Sequence, residues 1–597
     1  MRTSMAASTL VLLLGMIYTC VVANHNDSRP AHEIEVPCRP EQVHIAYGDT
    51  TSEVVVMWAT QEECTTSVGY GTDPWGLTNT VPGQMSHFTD LNKQGLQCLH
   101  RVKLQGLTPE TNYFYRPISE GISSGPFYFK TPPGGQSWEP EFLVYGDLGV
   151  ESDSVPYLNN EVLGGNYTAV LHVGDFGYNL MDQDGQSEAS NLTCFPKVGD
   201  QFMRIVEDTA ARIPYMTSPG NHEIDGDTFS HYRHRFSMPN TDWPIPLDRM
   251  WYSIDIGLVH FVSYSSEVFF TQQGVHVDAQ RNWLMADLKQ ANDNRNNCPW
   301  VIAYGHRPMY CSNTDGDDCT LGASKVREGL EDLFFNYGVD LVLQAHEHSY
   351  ERLWPQYKGV VLAKNYSNPQ APIQLITGAA GSRHGVDEEN KTFSEWSAFR
   401  MDIKAFNSFG RLKVYNATHL YWEQVLVKDS KVLDSIWVTQ DLHGPFHKAQ
   451  LDTDKAKKIE DKEKDNSVIN TDSKTNTASH EEANSPHSGP DVSSGDTNSP
   501  DTSISDRARS MLESTNVRLA LGIGGGILVL VVIITIVILQ KQKKKARKYR
   551  RWDETVDYGR KFYSSGYSHV QGGEKDTDEF ETEVNDPSAP TSKLLTE

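Results

Sequence analysis

Cysteine is scarce in this sequence: the 597 residues contain eight, and none follows Cys319. So few cysteines exclude a small disulfide-stapled scaffold, because a chain of this length can bury real hydrophobic cores. Positive charge is scarce too, since 53 Lys and Arg face 78 Asp and Glu, for a formal net charge of −25. This balance argues against a nucleic-acid partner, because binding a phosphate backbone requires clustered Lys and Arg.

Aromatic residues are missing from one long segment, since residues 448–516 contain no Phe, Trp or Tyr. The segment is rich in Ser, Thr, Asn, Asp and Lys. Such a composition buries too little apolar area to offset the entropy of ordering, so it predicts a disordered stalk.

Two apolar runs indicate how the chain is targeted. Residues 1–23 have a positive charge near the start, at Arg2, followed by an apolar run and small residues at the end. This pattern predicts a secretory signal peptide. Residues 519–539 carry no charge and are followed by a basic run, which predicts a single-pass transmembrane helix with its positive flank in the cytoplasm. Residues 540–597 are then a cytoplasmic tail. The part of the chain before the span is expected to be extracellular or lumenal, at the cell membrane or an endolysosomal membrane.

Sequons and cysteines agree with that topology. Six Asn-x-Ser/Thr glycosylation sequons precede the predicted span: Asn26, Asn166, Asn191, Asn365, Asn390 and Asn416. Removing the signal peptide would leave seven cysteines, and we expect Cys311 and Cys319, which bracket a short Asp-rich loop, to form a disulfide. The other five allow two bridges and one free or intermolecular thiol.

Two domains are predicted before the stalk. Residues 30–135 contain short strand-like runs such as Val54 to Trp58, separated by turn residues, which predicts a β-sandwich. Residues 139–440 alternate apolar runs with helix-compatible stretches, which predicts an α/β domain with buried parallel strands.

Five strand-like runs of the second domain end in side chains that can bind a metal. Those side chains are Asp147, Asp175 with Tyr178, Asn221, His306, and His346 with His348. Sites gather where the strands of open α/β sheets emerge at their carboxyl ends, so we expect the seven to converge. One Gly-Asp or His-x-His is usually only a turn, but five such elements in order are not explained by independent turns.

The donor types also indicate the metals. The two aspartates, Tyr178 and His348 suit a hard trivalent ion such as Fe(III). The asparagine and the other two histidines, with a shared oxygen of Asp175, suit a divalent ion such as Zn, Fe or Mn. Two metals ~3.5–4 Å apart would form a clamp for in-line phosphoryl hydrolysis.

The motifs, in this order, resemble those of the metallophosphatases, and the position of Tyr178 resembles the purple acid phosphatases. The resemblance covers about residues 38–440, and residues 305–311, Gly-His-Arg-Pro-Met-Tyr-Cys, are similar to the animal acid phosphatase type 7 branch. It implies an N-terminal all-β fibronectin-like sandwich followed by an α/β calcineurin-like metallophosphoesterase domain, with two mixed sheets flanked by helices.

The resemblance also implies an activity, the hydrolysis of phosphate monoesters of small molecules or proteins. It implies in-line attack by a metal-bound hydroxide at an Fe(III)–M(II) centre, with the same division of the ligands between the two ions. His222 matches a catalytic histidine that contacts the phosphate.

The sequence departs from the family pattern at two places. Ala345 replaces the usual glycine before His-x-His, a change that should be tolerated. Asp315 and Gly316 stand where plant members have two adjacent histidines, so the general acid is open between His222, a protonated Asp such as Asp315, and His384. We favour His222, with the acidic loop as a negative rim.

Two other functions are compatible with the sequence. The missing histidine pair leaves room for a phosphodiesterase or nucleotide pyrophosphatase of the same fold. A stalked, non-catalytic adhesion protein is the alternative from another class. It is disfavoured because all seven ligand positions carry competent residues.

Overall fold

The fold is described from a computed structural model of the chain. It describes residues 36–89, 96–165, 167–181, 198–314, 316–387, 394–401, 407–447 and 453–463. The predicted signal peptide, transmembrane helix and tail lie outside these residues, as do four of the sequons: Asn26, Asn166, Asn191 and Asn390. No helix in the described ranges is long and apolar enough to cross a membrane.

The N-terminal part is a sandwich of two antiparallel sheets. Its strands are β1 Glu41–Tyr47, β2 Val54–Thr60, β3 Ser67–Gly71, β4 Asn79–Pro82, β5 Gln84–Thr89, β6 Leu96–Leu104, β7 Asn112–Ser119, β8 Ile122–Ser123 and β9 Phe127–Lys130. One sheet has the order β1-β2-β6-β5, and the other has β4-β3-β7-β8 with β9 beside β7. Alternate side chains of β7, such as Tyr113 and Tyr115, join Trp58 of β2 in a shared core, as the period of two requires.

The second part contains five α-helices in the described ranges up to residue 447, and fifteen strands. The helices are α1 Val155–Gly164, α2 Val198–Ala210, α3 Ser230–Arg235, α4 Val277–Asp293 and α5 Lys325–Asn336. The strands are β10 Glu141–Tyr145, β11 Ala169–Val173, β12 Tyr215–Ser218, β13 Tyr252–Ile256, β14 Val259–Ser263, β15 Trp300–Tyr304, β16 Leu341–Gln344, β17 Tyr350–Leu353, β18 Gln356–Tyr357, β19 Val360–Val361, β20 Ile373–Thr377, β21 Ser397–Arg400, β22 Ser408–Val414, β23 His419–Leu426 and β24 Val432–Thr439.

Two mixed sheets form the centre of this domain, in the orders β12-β11-β10-β22-β23-β24 and β13-β14-β15-β16-β20-β17-β21. Strands β10, β11 and β12 are parallel in the first, and β14, β15, β16 and β20 are parallel in the second. Strands β11, β15 and β16 are buried at every position, which explains their continuous apolar runs. The predicted fold class is confirmed.

Helix α2 of the second part packs on strand β1 of the sandwich. The backbone N–H of Val43 donates to Oε2 of Glu207 over 3.0 Å, and the Tyr115 hydroxyl donates to the carbonyl of Ala211 over 2.7 Å. The buried guanidinium of Arg235 donates to Oε1 of Gln42 in β1 over 3.0 Å. These contacts join the two parts by paired polar groups as well as by apolar packing.

Four cysteines form disulfides. Cys311 pairs with Cys319, as predicted, and Cys38 pairs with Cys64. Cys98 and Cys298 are buried thiols, while Cys194 lies outside the described residues.

One element differs from the sequence-based prediction. Residues 453–463, at the start of the segment predicted to be a disordered stalk, form a helix. Its Ile459 is fully buried in a small apolar cluster with Phe335 of α5, Tyr357 of β18 and other residues. Nζ of Lys462 donates to the carbonyl of Gly359 over 2.9 Å. The helix is therefore held by tertiary contacts that its polar composition does not indicate.

Candidate dinuclear metal site

The seven candidate ligands lie beyond the carboxyl ends of five parallel strands. Strands β10, β11 and β12 of one sheet lead to Asp147, to Asp175 with Tyr178, and to Asn221, whereas β15 and β16 of the other lead to His306 and to His346 with His348. Backbone hydrogen bonds link the strand ends. For example, the N–H of Asp147 donates to the carbonyl of Gly174 over 3.2 Å. The convergence that the sequence predicts is thus present.

Four of these residues have left-handed backbone conformations. The φ angles are 59° at Asp147, 53° at Asp175, 60° at Tyr178 and 70° at His346. This region is unfavourable for residues with a Cβ, least so for aspartate, and such strain persists where the surroundings enforce it.

Glycines before the ligands allow the loops to approach closely. A Cβ at Gly220 would lie 2.3 Å from Oδ1 of Asp175, and one at Gly174 would lie 2.5 Å from Nδ1 of His306. At Ala345, where the family usually has glycine, the methyl group is fully buried and faces Gly146, where a Cβ would lie 2.4 Å away. Ala345 is accommodated because the opposing residue has no side chain.

One cluster of donors surrounds Nε2 of the fully buried His306. This atom lies 3.3 Å from Oδ2 of Asp175, 3.0 Å from Oδ1 of Asn221 and 3.1 Å from Nδ1 of His346. Three side chains, those of Asp175, His306 and His346, each offer one ligand atom. These atoms lie within 4.8 Å of one another, which is close enough to bind a single ion.

A second cluster consists of Tyr178, Asp147 and His348. The Tyr178 hydroxyl donates to Oδ1 of Asp147 over 3.4 Å and lies 3.0 Å from Nε2 of His348. The same His348 nitrogen lies 3.5 Å from Oδ1 of Asp147. Three ligands of the predicted trivalent position are thus mutually adjacent.

The electrostatics of the site fit bound cations. Burial, followed by the Asp147 and Asp175 carboxylates, raises the pKa of Tyr178 well above its ordinary value. Burial opposes protonation of His306, yet Asp175 raises the pKa of that imidazole to about 10. Buried carboxylates beside a phenol and imidazoles are best stabilised by metal ions, and donors of oxygen and nitrogen without sulfur suit iron and zinc.

Glu223 holds two of the ligand loops. Its Oε2 accepts hydrogen bonds from the backbone N–H groups of Asp175 and Gly220, each over 2.9 Å, and its Oε1 accepts from Phe176 over 3.0 Å. Burial, followed by the Asp175 carboxylate, raises the pKa of Glu223 to about 8. Sequence reasoning gave Glu223 no role, although it closes the Gly-Asn-His-Glu motif.

His222 and His384 lie on the open side of the clusters. The His222 side chain is 23% exposed, its Nδ1 lies 2.8 Å from Oδ1 of Asn179, and its Nε2 lies 3.8 Å from Oδ2 of Asp175. The exposed His384 ring stacks on the His222 ring with centroids 5.7 Å apart, and it also lies 5.1 Å from the Tyr178 ring. Both histidines can reach a substrate that enters from solvent.

The acidic loop between Cys311 and Cys319 has two described aspartates with different partners. Asp317 contacts Nε2 of His346. Asp318 is buried and accepts from Ser324 and from the backbone N–H groups of Lys325 and Val326, so it caps the start of α5. Asp315, the predicted candidate for a general acid or substrate contact, lies outside the described residues.

Three comparisons place the chain among known proteins. Residues 40–131 match the purple acid phosphatase N-terminal domain, residues 140–350 match the calcineurin-like phosphoesterases, and residues 371–435 match the iron/zinc purple acid phosphatase-like protein C family. Human acid phosphatase type 7 is 43% identical over 423 residues, covering 68% of this chain and 92% of the relative. Purple acid phosphatase 22 of Arabidopsis thaliana is 30% identical over 430 residues, covering 70% and 88%.

A solved structure supports the fold. Purple acid phosphatase PPD1 from yellow lupin seeds has a TM-score of 0.57 at 23% identity, covering 68% of this chain and 75% of that one. The fold and the convergent donors define a calcineurin-like metallophosphoesterase with the residues of a dimetal site. Within that class the chain belongs to the purple acid phosphatase family, close to acid phosphatase type 7, and it is an acid phosphatase acting on phosphomonoesters.

Proposed function

We propose that this phosphatase uses an Fe(III)–M(II) pair, with M zinc, iron or manganese, to hydrolyse phosphate monoesters outside the cytosol. The observation that carries the proposal is the adjacency of the two donor clusters, since the backbone N–H of His346 donates to Oδ2 of Asp147 over 2.9 Å and Oδ2 of Asp175 lies 3.3 Å from His306. Asp147, Tyr178 and His348 would hold the trivalent ion, and Asn221, His306 and His346 the divalent ion. Asp175 would be shared by both. When bound, the metal pair supplies Lewis-acid polarisation of the phosphate and a nucleophile from water at acidic to neutral pH.

His222 would act on the substrate from the open side. Nδ1 donates to Oδ1 of Asn179, so Nε2 is directed toward the clusters. In the protonated imidazolium, Nε2 can donate a hydrogen bond to phosphate or to the leaving oxygen. His384, stacked on the His222 ring, is the second candidate for the proton donor. The described loop aspartates are less suited to this role, because each already binds protein groups.

The protein is proposed to be a single-pass membrane protein with its catalytic part extracellular or lumenal. The support is the apolar run 519–539 with its basic flank, the signal-like N-terminus and the sequons. Asn365 and Asn416, the two sequons within the described ranges, are both exposed, as glycosylation requires. A glycosidase that lowers the mass of the protein from intact cells would support this topology, and an unchanged mass would contradict it.

The function is tested with the purified full chain, assayed on p-nitrophenyl phosphate and on bis-p-nitrophenyl phosphate, with metal content measured on the same sample. We expect two metal ions per chain and higher kcat/KM for the monoester. Preference for the diester would favour the phosphodiesterase alternative, and no hydrolysis of either with both metals present would favour a non-catalytic role.

A further inference from the structure

The acidic loop reaches the candidate ligand His346 from outside the metal clusters. Nδ1 of His346 faces His306, 3.1 Å from Nε2 of that ring, whereas the opposite nitrogen, Nε2, contacts Oδ2 of Asp317. The two ring nitrogens therefore have separate partners: one points into the site, and the other binds a carboxylate.

Asp317 is itself held by a partly buried cation, Arg307. Nη1 of Arg307 lies 3.5 Å from Oδ1 of Asp317 and 3.0 Å from Nε2 of His346. Nε of Arg307 donates to both oxygens of the fully buried Glu267, over 3.0 and 3.1 Å, and its guanidinium lies 4.4 Å from the centre of the Phe270 ring. A charged side chain with this many partners is fixed in place, so it can hold the Asp317 carboxylate against His346.

We propose that Asp317 is a positioning residue that selects the metal-binding tautomer of His346. Nε2 has two partners, and the Asp317 carboxylate is nearer than the guanidinium of Arg307, which can only donate. The carboxylate therefore keeps the proton on Nε2, which leaves the lone pair of Nδ1 directed at the divalent position. The inference rests on the proposed two-metal function and deepens it, because it assigns the acidic loop to one of the two ions. It replaces the expectation of a purely repulsive rim for this aspartate.

His348, the second histidine of the His-x-His motif, contacts a different carboxylate, that of Asp387. Oδ1 of Asp387 lies 3.9 Å from Nδ1 of His348, and Oδ2 of Asp387 accepts from the backbone N–H of His348. Nε2 of His348 faces Tyr178 and Asp147. The trivalent position therefore does not depend on Asp317, and loss of Asp317 should weaken one position selectively.

The test uses the purified full chain with Asp317→Ala, Asp317→Asn and, as a charge-matched control, Glu395→Gln at an exposed position. Divalent-metal retention is titrated with a chelator, and visible absorption reports the iron–tyrosine position. We expect Asp317→Ala to weaken divalent binding about 10–100-fold, the usual effect of losing the partner of a ligating histidine. The visible band should persist. The divalent-metal affinity of Asp317→Asn should lie between those of the wild type and Asp317→Ala, because the amide oxygen still accepts from Nε2. If the alanine variant does not fold, the asparagine variant is used for the test.

Wild-type metal retention in Asp317→Ala would overturn the inference, as would equal loss of both metals in the two Asp317 variants. A lower KM for anionic substrates with unchanged metal affinity would assign Asp317 to a repulsive rim instead. A wild-type chain that binds no pair of metals would refute the proposed function itself, a result distinct from any effect confined to Asp317.

Discussion

At the residue scale, the site depends on side chains whose backbone is held in an unfavourable conformation. Asp175 illustrates this, because it has φ 53° and all its groups are engaged: its N–H by Glu223, its Oδ1 by the N–H of His222, and its Oδ2 beside His306. It is also the one candidate ligand that we propose both ions share. Its replacement should therefore affect both metal positions.

We expect Asp175→Asn to lower kcat at least about a hundredfold, since even partners of metal ligands contribute 10–100-fold. Oδ1 can still accept from His222, so the fold should persist. The measurement is steady-state hydrolysis of p-nitrophenyl phosphate with circular dichroism on the same sample. Turnover within threefold or so of wild type would show that Asp175 is not shared between two ions.

The sequence predicts the candidate ligands because each follows an apolar run in a short motif. It does not predict Glu223, Arg307 or Asp317, for a physical reason. Glu223 acts by accepting backbone N–H groups 47 and 48 positions earlier, and Asp317 meets His346 29 positions later. Such contacts exist only once the loops are brought together.

At the element scale, strands such as Val54–Thr60 and Ala169–Val173 coincide with apolar runs that the sequence shows, whereas no such pattern marks the helix 453–463. Its composition is polar and charged, and Ile459 is the one side chain of the helix that is buried. A single apolar residue gives no helical periodicity to recognise. The helix is stabilised by packing on the apolar cluster. The sequence alone does not indicate this contact.

Replacing Ile459 with aspartate should release this helix without unfolding the domain, because Ile459 is the side chain that the helix buries in the apolar cluster. Backbone amides of residues 453–463 should exchange hydrogen about tenfold faster than in the wild type, as expected of a locally open segment. Activity should not change. Glu460→Gln, at an exposed position of the same helix, is the control. Unchanged exchange in Ile459→Asp would contradict the observed packing.

His260 of β14 joins two other elements electrostatically. Its Nδ1 lies 2.6 Å from Asp255 of β13, and its Nε2 lies 3.1 Å from Asp287 of α4. Burial alone would lower the pKa of His260, but the two carboxylates raise it to about 9. Since the unfolded pKa is about 6.5, this contribution to stability is complete below about pH 6.5 and is lost as the pH rises through 9.

His260→Gln should therefore melt at a lower temperature than wild type at about pH 6, and the difference should shrink toward about pH 10. Differential scanning calorimetry at the two pH values checks this. A difference that is constant or larger at high pH would mean that the imidazole is not protonated in the folded protein.

At the scale of the whole molecule, the β-sandwich and the phosphatase domain contact each other through β1 and α2, by both polar and apolar groups. The sequence that follows the two domains predicts a stalk and a membrane anchor. The domain order was predictable from composition, because turn spacing and strand–helix alternation differ so clearly between residues 30–135 and 139–440. The contact between the two domains was not, since it depends on their three-dimensional surfaces.

Cleavage of the stalk should release an active fragment from membranes. Residues 464–516 contain no aromatic residue, and such segments are preferred sites of proteolysis. Limited proteolysis of washed membranes, followed by a phosphatase assay of the supernatant, measures the release. Activity that stays entirely with the membrane after cleavage in this segment would contradict the predicted organisation.

The most direct test of the account is the visible spectrum of the purified full chain, measured together with its metal content. A phenolate bound to ferric iron absorbs visible light, and Tyr178 lies 3.0 Å from Nε2 of His348 and donates to Asp147 in the candidate trivalent position. We expect two metal ions per chain, at least one of them iron, and a visible band that Tyr178→Phe abolishes. A colourless, fully active protein containing only zinc, or a band that survives in Tyr178→Phe, would contradict it.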